Sequence, residues 1–594
     1  MANDIRRHTL QLSAVMLLLT GINCRADTQT PSVPITISPT VPSELNPPFL
    51  ENGDGGAPHA TPDQAVAFAW QEFIALNWAA TDQKGELNNR DTPSAQCAFG
   101  DPKCTGPLVW ETFRGKVEIF PGAGLPPGYP GQQGDLSFGY DALPEYHYQQ
   151  PVAACDPSQA SESTPWVNLD ETSEIALANM YAGAAAGNES PGNSAPNLIR
   201  FLAKANRSQF AYVAANSDPE DQAKQWWYAI PADVVTATKA YLAENLTSPP
   251  AGSQTMVSQR FGTIEIKAAW RPVTPTEAAS GRFHTQRVRF YEKASSSTFC
   301  YRNATWGLLA LHIIQKTPSA PYFIFSTFEQ ADNILNKAGE PVEDVDGNII
   351  GEPSRKSTSP QECLVDPRPD PGPPNQAPSD DNSVILTSNP KTCVPAVVEA
   401  YCDDPGDRLY YRNIAGSQQV PSDGNICLNR RENSIPNYVK DANQTAHASI
   451  KAYLQANSIG SAPWLYYKLI NVQYFPHDHV LEKLTPNGTL YRSSSPGSAD
   501  KPATSSYYQA NIVVETNRSL QLFSGGLSSL NPGAVTTDWN QDGSQRKNVY
   551  YGGHFSNMGG CMGCHGSQGQ NPPGQAGDFS VILAIGSVTA PEVP

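Results

Sequence analysis

The chain has 594 residues, 39% of them hydrophobic, and 40 Lys+Arg stand against 57 Asp+Glu for a formal charge of -17. That balance opposes nucleic-acid binding, which calls for basic patches. A charged fraction of only 16% excludes a charge-rich disordered chain. The 53 Pro and 45 Gly predict long loops between roughly three to five domain-sized units.

Arg6 and Arg7 precede an apolar run from Thr9 to Ile22, and small residues follow around Cys24-Arg25-Ala26. This is the pattern of a secretory signal peptide over residues 1–26, too short to span a bilayer, which takes about 20 apolar residues. The expected destination is the periplasm or the exterior, with no transmembrane segment in the mature chain. Residues 27–59 read as a flexible linker, and a mixed body follows over 60–336. Within it, Thr61-Pro62-Asp63-Gln64 makes a capping box with proline in the first turn. It opens a helix whose stripe is Val66, Trp70, Phe73 and Ile74. A second helix is predicted over Pro231–Asn245. From residue 262 the period changes to two. Ile264, Ile266, Ala268 and Trp270 alternate with Glu265, Lys267, Ala269 and Arg271, the pattern of a half-buried strand. Gln286–Phe290 repeats the alternation. Trp306–Lys316 reads as a strand buried on both faces, and Tyr322–Glu329 follows, so that four strands in succession suggest an antiparallel meander. Residues 337–430 are Pro-rich and carry Cys363, Cys393, Cys402 and Cys427, the composition of a disulfide-stapled insertion. In the C-terminal part, 431–594, Asp441–Leu454 reads as a helix with His447, Ile450 and Leu454 on one stripe, and Trp464–Tyr474 as a strand. Ile512–Phe523 fits either element. The expected class is α+β, with a helical N-terminal part, an antiparallel sheet in the middle and a loop-rich C-terminal segment.

Eleven cysteines, less Cys24, leave ten. Eight of these (Cys97, Cys104, Cys155, Cys300, Cys363, Cys393, Cys402 and Cys427) form an even set suited to disulfides in an exported chain, and the sequence does not choose their pairing. Short loops favour Cys97–Cys104 and Cys393–Cys402. The other two stand in Cys561-Met562-Gly563-Cys564-His565, the spacing of covalent haem attachment. Two thiols three residues apart add to the vinyl groups on one porphyrin edge, and the adjoining imidazole lies under the iron. A thioredoxin-like pair would want a βαβ setting, which is missing around this Gly-rich stretch. A zinc half-site would want a second ligand pair, yet no Cys or His follows His565. A disulfide across two residues is strained.

Through Gly559-Gly560-Cys561-Met562-Gly563-Cys564-His565-Gly566 the chain resembles the c-type cytochromes over about a tenth of its length. The resemblance implies one covalent haem c, with Cys561 and Cys564 as anchors, His565 as iron ligand, and redox work outside the cytoplasm. Attachment near the C-terminus, with neither Met nor His downstream, departs from the small cytochromes. It is closer to the four-helix class or to haem c enzymes with a large upstream body. The sixth iron position decides between electron transfer and catalysis. His554, Met558, His312 and His447 are the candidates, beside a vacant position. The expected function is electron transfer with a redox partner protein or a small-molecule oxidant or reductant. The alternative is a haem c oxidoreductase, peroxidase- or oxygenase-like, with an open iron under the upstream body. Among weaker features, Asp538-Trp539-Asn540-Gln541-Asp542-Gly543 matches the start of a calcium loop, but Val549 stands at its twelfth position. Asp344-Val345-Asp346-Gly347-Asn348 reads as a hairpin turn. His477-Asp478-His479 and Trp226-Trp227-Tyr228 read mainly as a solvated loop and a packed aromatic run.

Overall fold

A computed structural model describes residues 33–47, 56–57, 60–81, 89–127, 140–172, 179–181, 198–210, 262–295, 298–320, 323–334, 341–350, 410–412, 419–421, 435–474, 482–484, 490–492, 511, 561, 580, 582 and 587–593. In chain order the helices are α1 (Pro62–Leu76), α2 (Lys116–Ile119), α3 (Pro275–Ala279) and α4 (Asn437–Ala456). The strands are β1 (Arg114–Gly115), β2 (Ala153–Ala154), β3 (Val167–Leu169), β4 (Asn179–Tyr181), β5 (Leu198–Ala205), β6 (Ile264–Pro272), β7 (Thr285–Lys293), β8 (Phe299–Gln315), β9 (Ile324–Gln330), β10 (Tyr410–Arg412), β11 (Gln419–Pro421), β12 (Tyr467–Gln473), β13 (Glu482–Leu484) and β14 (Leu490–Arg492). The signal-peptide residues, Pro231–Asn245, Ile512–Phe523 and most of the 337–430 insertion lie outside the described residues.

The fold is mixed α/β, dominated by a nearly closed, mixed, six-strand barrel-like sheet with few helices. β5, β6, β8, β7 and β3 follow one another around it, and an antiparallel bridge from Glu171 to Phe201 brings β3 back toward β5. The four predicted middle strands are all present, but not as a simple meander. β8 is long enough to serve four neighbours: its first half pairs with β7 and, at Cys300–Tyr301, with β2, its second half with β9, and Trp306–Gln315 with β6. β3 runs parallel to β7, and β2 parallel to β8. Gly307 allows the close approach at this crossing, because a Cβ there would lie 2.5 Å from Val273 Cγ1.

α1 begins as its capping box requires: Thr61 Oγ1 accepts the Gln64 N–H, and Gln64 Oε1 accepts the Thr61 N–H. Its face packs on one side of the β8–β9–β12 sheet, where Phe73 stacks on Phe328 at 4.3 Å and Ser326 donates to Glu72 at 3.0 Å. α4 lies beside α1, and buried Asn443 ties the two to the sheet. It accepts from the Trp70 indole and the Leu469 N–H while donating to Leu469 O and Asp346 O. The stripe Val439, Ala446, Ile450 and Leu454 is buried, as the helical period requires. β12 pairs with β9, so residues 435–474 complete the same core as α1.

The opposite face of this sheet is polar in sequence and yet covered. Residues directly across a ladder share a face, as do residues two apart. This outer face therefore carries Glu265 and Lys267 of β6, His312 and Ile314 of β8, and Phe325 and Thr327 of β9. β6 is thus buried on both sides for most of its length, not half-buried as its alternation predicts. Polar residues from distant parts of the chain, Gln209, Asn511 and Ser580, close over it.

Two disulfides are present among the described residues. Cys97–Cys104 is the short-loop pair expected, and Cys155–Cys300 ties the β2 region to the start of β8. Cys393 and Cys402 lie outside the described residues.

Candidate functional site

Cys561 is half-buried and packs against the main apolar core; neither disulfide involves it. Cys564, His565, His554 and Met558 lie outside the described residues, as do the calcium-like 538–549 stretch, 477–479 and 226–228. The chain on either side of the attachment motif is anchored to the body. Upstream, Asn511 donates to Thr327 Oγ1 and to Phe328 O, each at 3.0 Å. Downstream, Ser580 accepts from Gln209 Nε2 at 3.0 Å and hydrogen-bonds with Glu265. Further on, Val588 N–H donates to Phe120 O, and Glu592 holds the Thr172 N–H.

The two described candidates for the sixth position differ in what surrounds them. His447 has both ring nitrogens committed, Nδ1 to Asp346 at 2.6 Å and Nε2 to Tyr467 O at 2.8 Å. It ties α4 to the 344–348 turn and to β12, which is the satisfied core histidine of the sequence reading. The turn itself is the expected hairpin: Asp344 accepts the Asp346 and Asn348 N–H groups, and Gly347 takes φ +93. His312 is instead on the outer face and 5% exposed. It lies directly across from Thr327 and from Lys267, and therefore diagonal to Glu265 at about 7–8 Å. The anchors upstream and downstream of the motif thus fall on either side of His312.

Burial pushes the Glu265 carboxyl up to about 7, against the pull of its bonds with Ser580 and Gln209. Its Oε1 meets no partner among the described residues. Burial likewise raises Asp91 and Asp170 to about 6. Behind the barrel wall Lys204, brought down to about 8 by burial, donates to the carbonyls of Glu111, Phe113 and Trp166. Arg90 pairs with Glu118 at 2.8 Å, both wholly buried. All these cations are engaged by protein acceptors, so this cluster is a structural network.

One pair that the sequence did not point to is formed by the fold. Glu111, on a 3-10 turn at Trp110–Thr112, and His284, just before β7, meet at 2.7 Å although 173 residues apart. Neither residue has a motif around it; the barrel alone brings them together. Among the described residues no group of three or more His, Cys, Asp or Glu could hold a metal, and no described helix is long and apolar enough to cross a membrane.

No protein-family model, curated protein or solved structure matches this chain.

Proposed function

We propose that the protein is an exported monohaem c-type cytochrome-like protein that takes part in electron transfer. Cys561 and Cys564 hold the haem through thioethers, His565 ligates its iron, and the upstream body presents it to a redox partner. The observation that carries this reading is the five-residue motif itself. Cys561 suits the role: half-buried against the core, outside both disulfides, and on a segment pinned to the body before and after it. Two disulfides accord with an oxidising compartment, where haem c is also attached. In this reading residues 431–594 form the C-terminal part that carries the haem c site, with a loop-rich haem segment, on an α+β body whose N-terminal part is helical. With both nitrogens of His447 committed, His554, Met558 and His312 stand as candidates for the sixth position, beside a vacant one.

The test is expression in a host that matures c-type cytochromes. The purified protein is expected to keep one haem per chain through acid–acetone extraction, and Cys561→Ser with Cys564→Ser to lose it. A protein from that host that carries no covalent pigment refutes the proposal.

A further inference from the structure

The Glu111–His284 pair stands apart from the haem reading. Glu111 is wholly buried, and both carboxyl oxygens are occupied. Oε2 accepts the Leu108 N–H at 2.9 Å and the Gln286 amide at 3.1 Å, while Oε1 faces His284 Nε2. Burial pushes this carboxyl up, but the His284 ring and the other donors outweigh it and hold the group below its ordinary range. An ionised carboxylate only accepts, so Nε2 of His284 carries a proton, and in the neutral ring the lone pair is then on Nδ1. A buried carboxylate that sets the tautomer and orientation of an imidazole is the arrangement that prepares histidine for proton transfer.

The surroundings direct the approach to that lone pair. Trp464 lies over the imidazole at 5.1 Å and 31°, and Trp270 meets it edge-on at 5.8 Å. No described residue hydrogen-bonds to Nδ1 of His284. The indole N–H of wholly buried Trp270 has no partner among the described residues either. Buried indoles ordinarily find one. The rings that carry this acceptor and this donor are neighbours, with centroids 5.8 Å apart. Trp270 shares its sheet face with Ala268, opposite to Glu265 and Lys267, so the pair is on the other side of the sheet from the anchors Asn511 and Ser580.

We propose that Glu111 and His284 form a proton-accepting site for a small oxygen acid, such as water, an alcohol or a hydroperoxide, whose oxygen is received by the Trp270 N–H. The reactant's O–H bond breaks, the proton bonds to Nδ1 of His284, and the electron pair stays on oxygen. The imidazolium so formed faces the Glu111 carboxylate, and returning the proton restores the site. No oxidant or reductant enters this step. His284 is the catalytic residue, and Glu111 is a positioning residue acting through it. The site does not depend on haem, so it stands or falls separately from the electron-transfer proposal.

His447 supplies an internal control, because its side chain is 10% exposed against 12% for His284, yet both of its nitrogens are bonded. Diethyl pyrocarbonate acylates the lone-pair nitrogen of imidazole. In the unaltered protein, peptide mass mapping is expected to show His284 modified at least about tenfold faster than His447, the scale on which a competent base acts. Nitrogen NMR of the histidine-labelled protein should find His284 as the Nε2–H tautomer. Hydrolysis of p-nitrophenyl acetate, in which Nδ1 takes the proton of attacking water, should fall about tenfold or more in His284→Asn. Glu111→Gln should slow acylation and shift the tautomer ratio, a change that loss of packing alone does not make. Equal acylation of His284 and His447, an Nδ1–H tautomer, or unchanged hydrolysis in a folded His284→Asn protein overturns the proposal. The first two measurements need no variant.

Discussion

Glu265→Gln tests the buried outer face, where the C-terminal part of the chain meets the sheet. Glu265 stands on β6 opposite Ala205 and Ile314, is 3% exposed, and hydrogen-bonds with Ser580 and Gln209. Its carboxyl titrates at about 7 in the folded protein, against 4.5 ordinarily, chiefly because burial disfavours the charge. Unfolding between those two values therefore releases a proton. The stability due to the neutral group is fully present below pH 4.5 and is lost as pH rises through 7. At about 1.4 kcal/mol per pH unit, the loss amounts to about 3 kcal/mol. Glutamine has the same shape, keeps an oxygen toward Ser580 and cannot ionise. Denaturant unfolding of both proteins from pH 4.5 to 8.5 should show near-equal stability at the acid end. By pH 8.5 the variant should be more stable by about 3 kcal/mol. Taking the difference between the proteins removes contributions they share, including those of Asp91 and Asp170. A difference that stays constant over this range would show that Glu265 is not held neutral by burial, and the account of a dry polar interface would fail.

Asn443→Leu strips partners from the Trp70 indole, the Leu469 N–H and two carbonyls at the junction of α1, α4 and β12. Thermal or denaturant unfolding should register a loss of about 3 kcal/mol or more; a loss below about 1 kcal/mol would mean that water replaces those bonds. Where His312 is the sixth ligand, His312→Ala should convert the iron from low to high spin in the absorption spectrum while the haem stays covalently bound. Added imidazole should restore the original bands, and a spectrum unmoved by the substitution would exclude His312 as the sixth ligand.

Local order was legible wherever one residue's neighbours in sequence are also its neighbours in space. The Thr61–Gln64 cap, the α4 stripe with His447 inside it, the Asp344–Asn348 turn and the Cys97–Cys104 bridge all follow from short-range rules of this kind. The period-two strands were equally plain. Their pairing was not, because alternation reports which residues share a face but not which strand lies alongside. β8 therefore emerges as partner to β6, β7 and β9 only in the folded barrel. Alternation also misled about β6: Glu265 and Lys267 have the polarity of a wet face, but Gln209 and Ser580, from distant parts of the chain, cover Glu265.

By itself the amino-acid order determined the signal-peptide pattern, the surplus of cysteines suited to export, and a five-residue motif whose chemistry resides in its spacing. Tertiary structure alone decided which partners His447 has, that His312 stands between the anchors of the C-terminal segment, and that Glu111 hydrogen-bonds to His284. The reason is distance along the chain. A motif is readable when its parts are adjacent, whereas a carboxylate and an imidazole 173 residues apart become a pair only when the barrel closes.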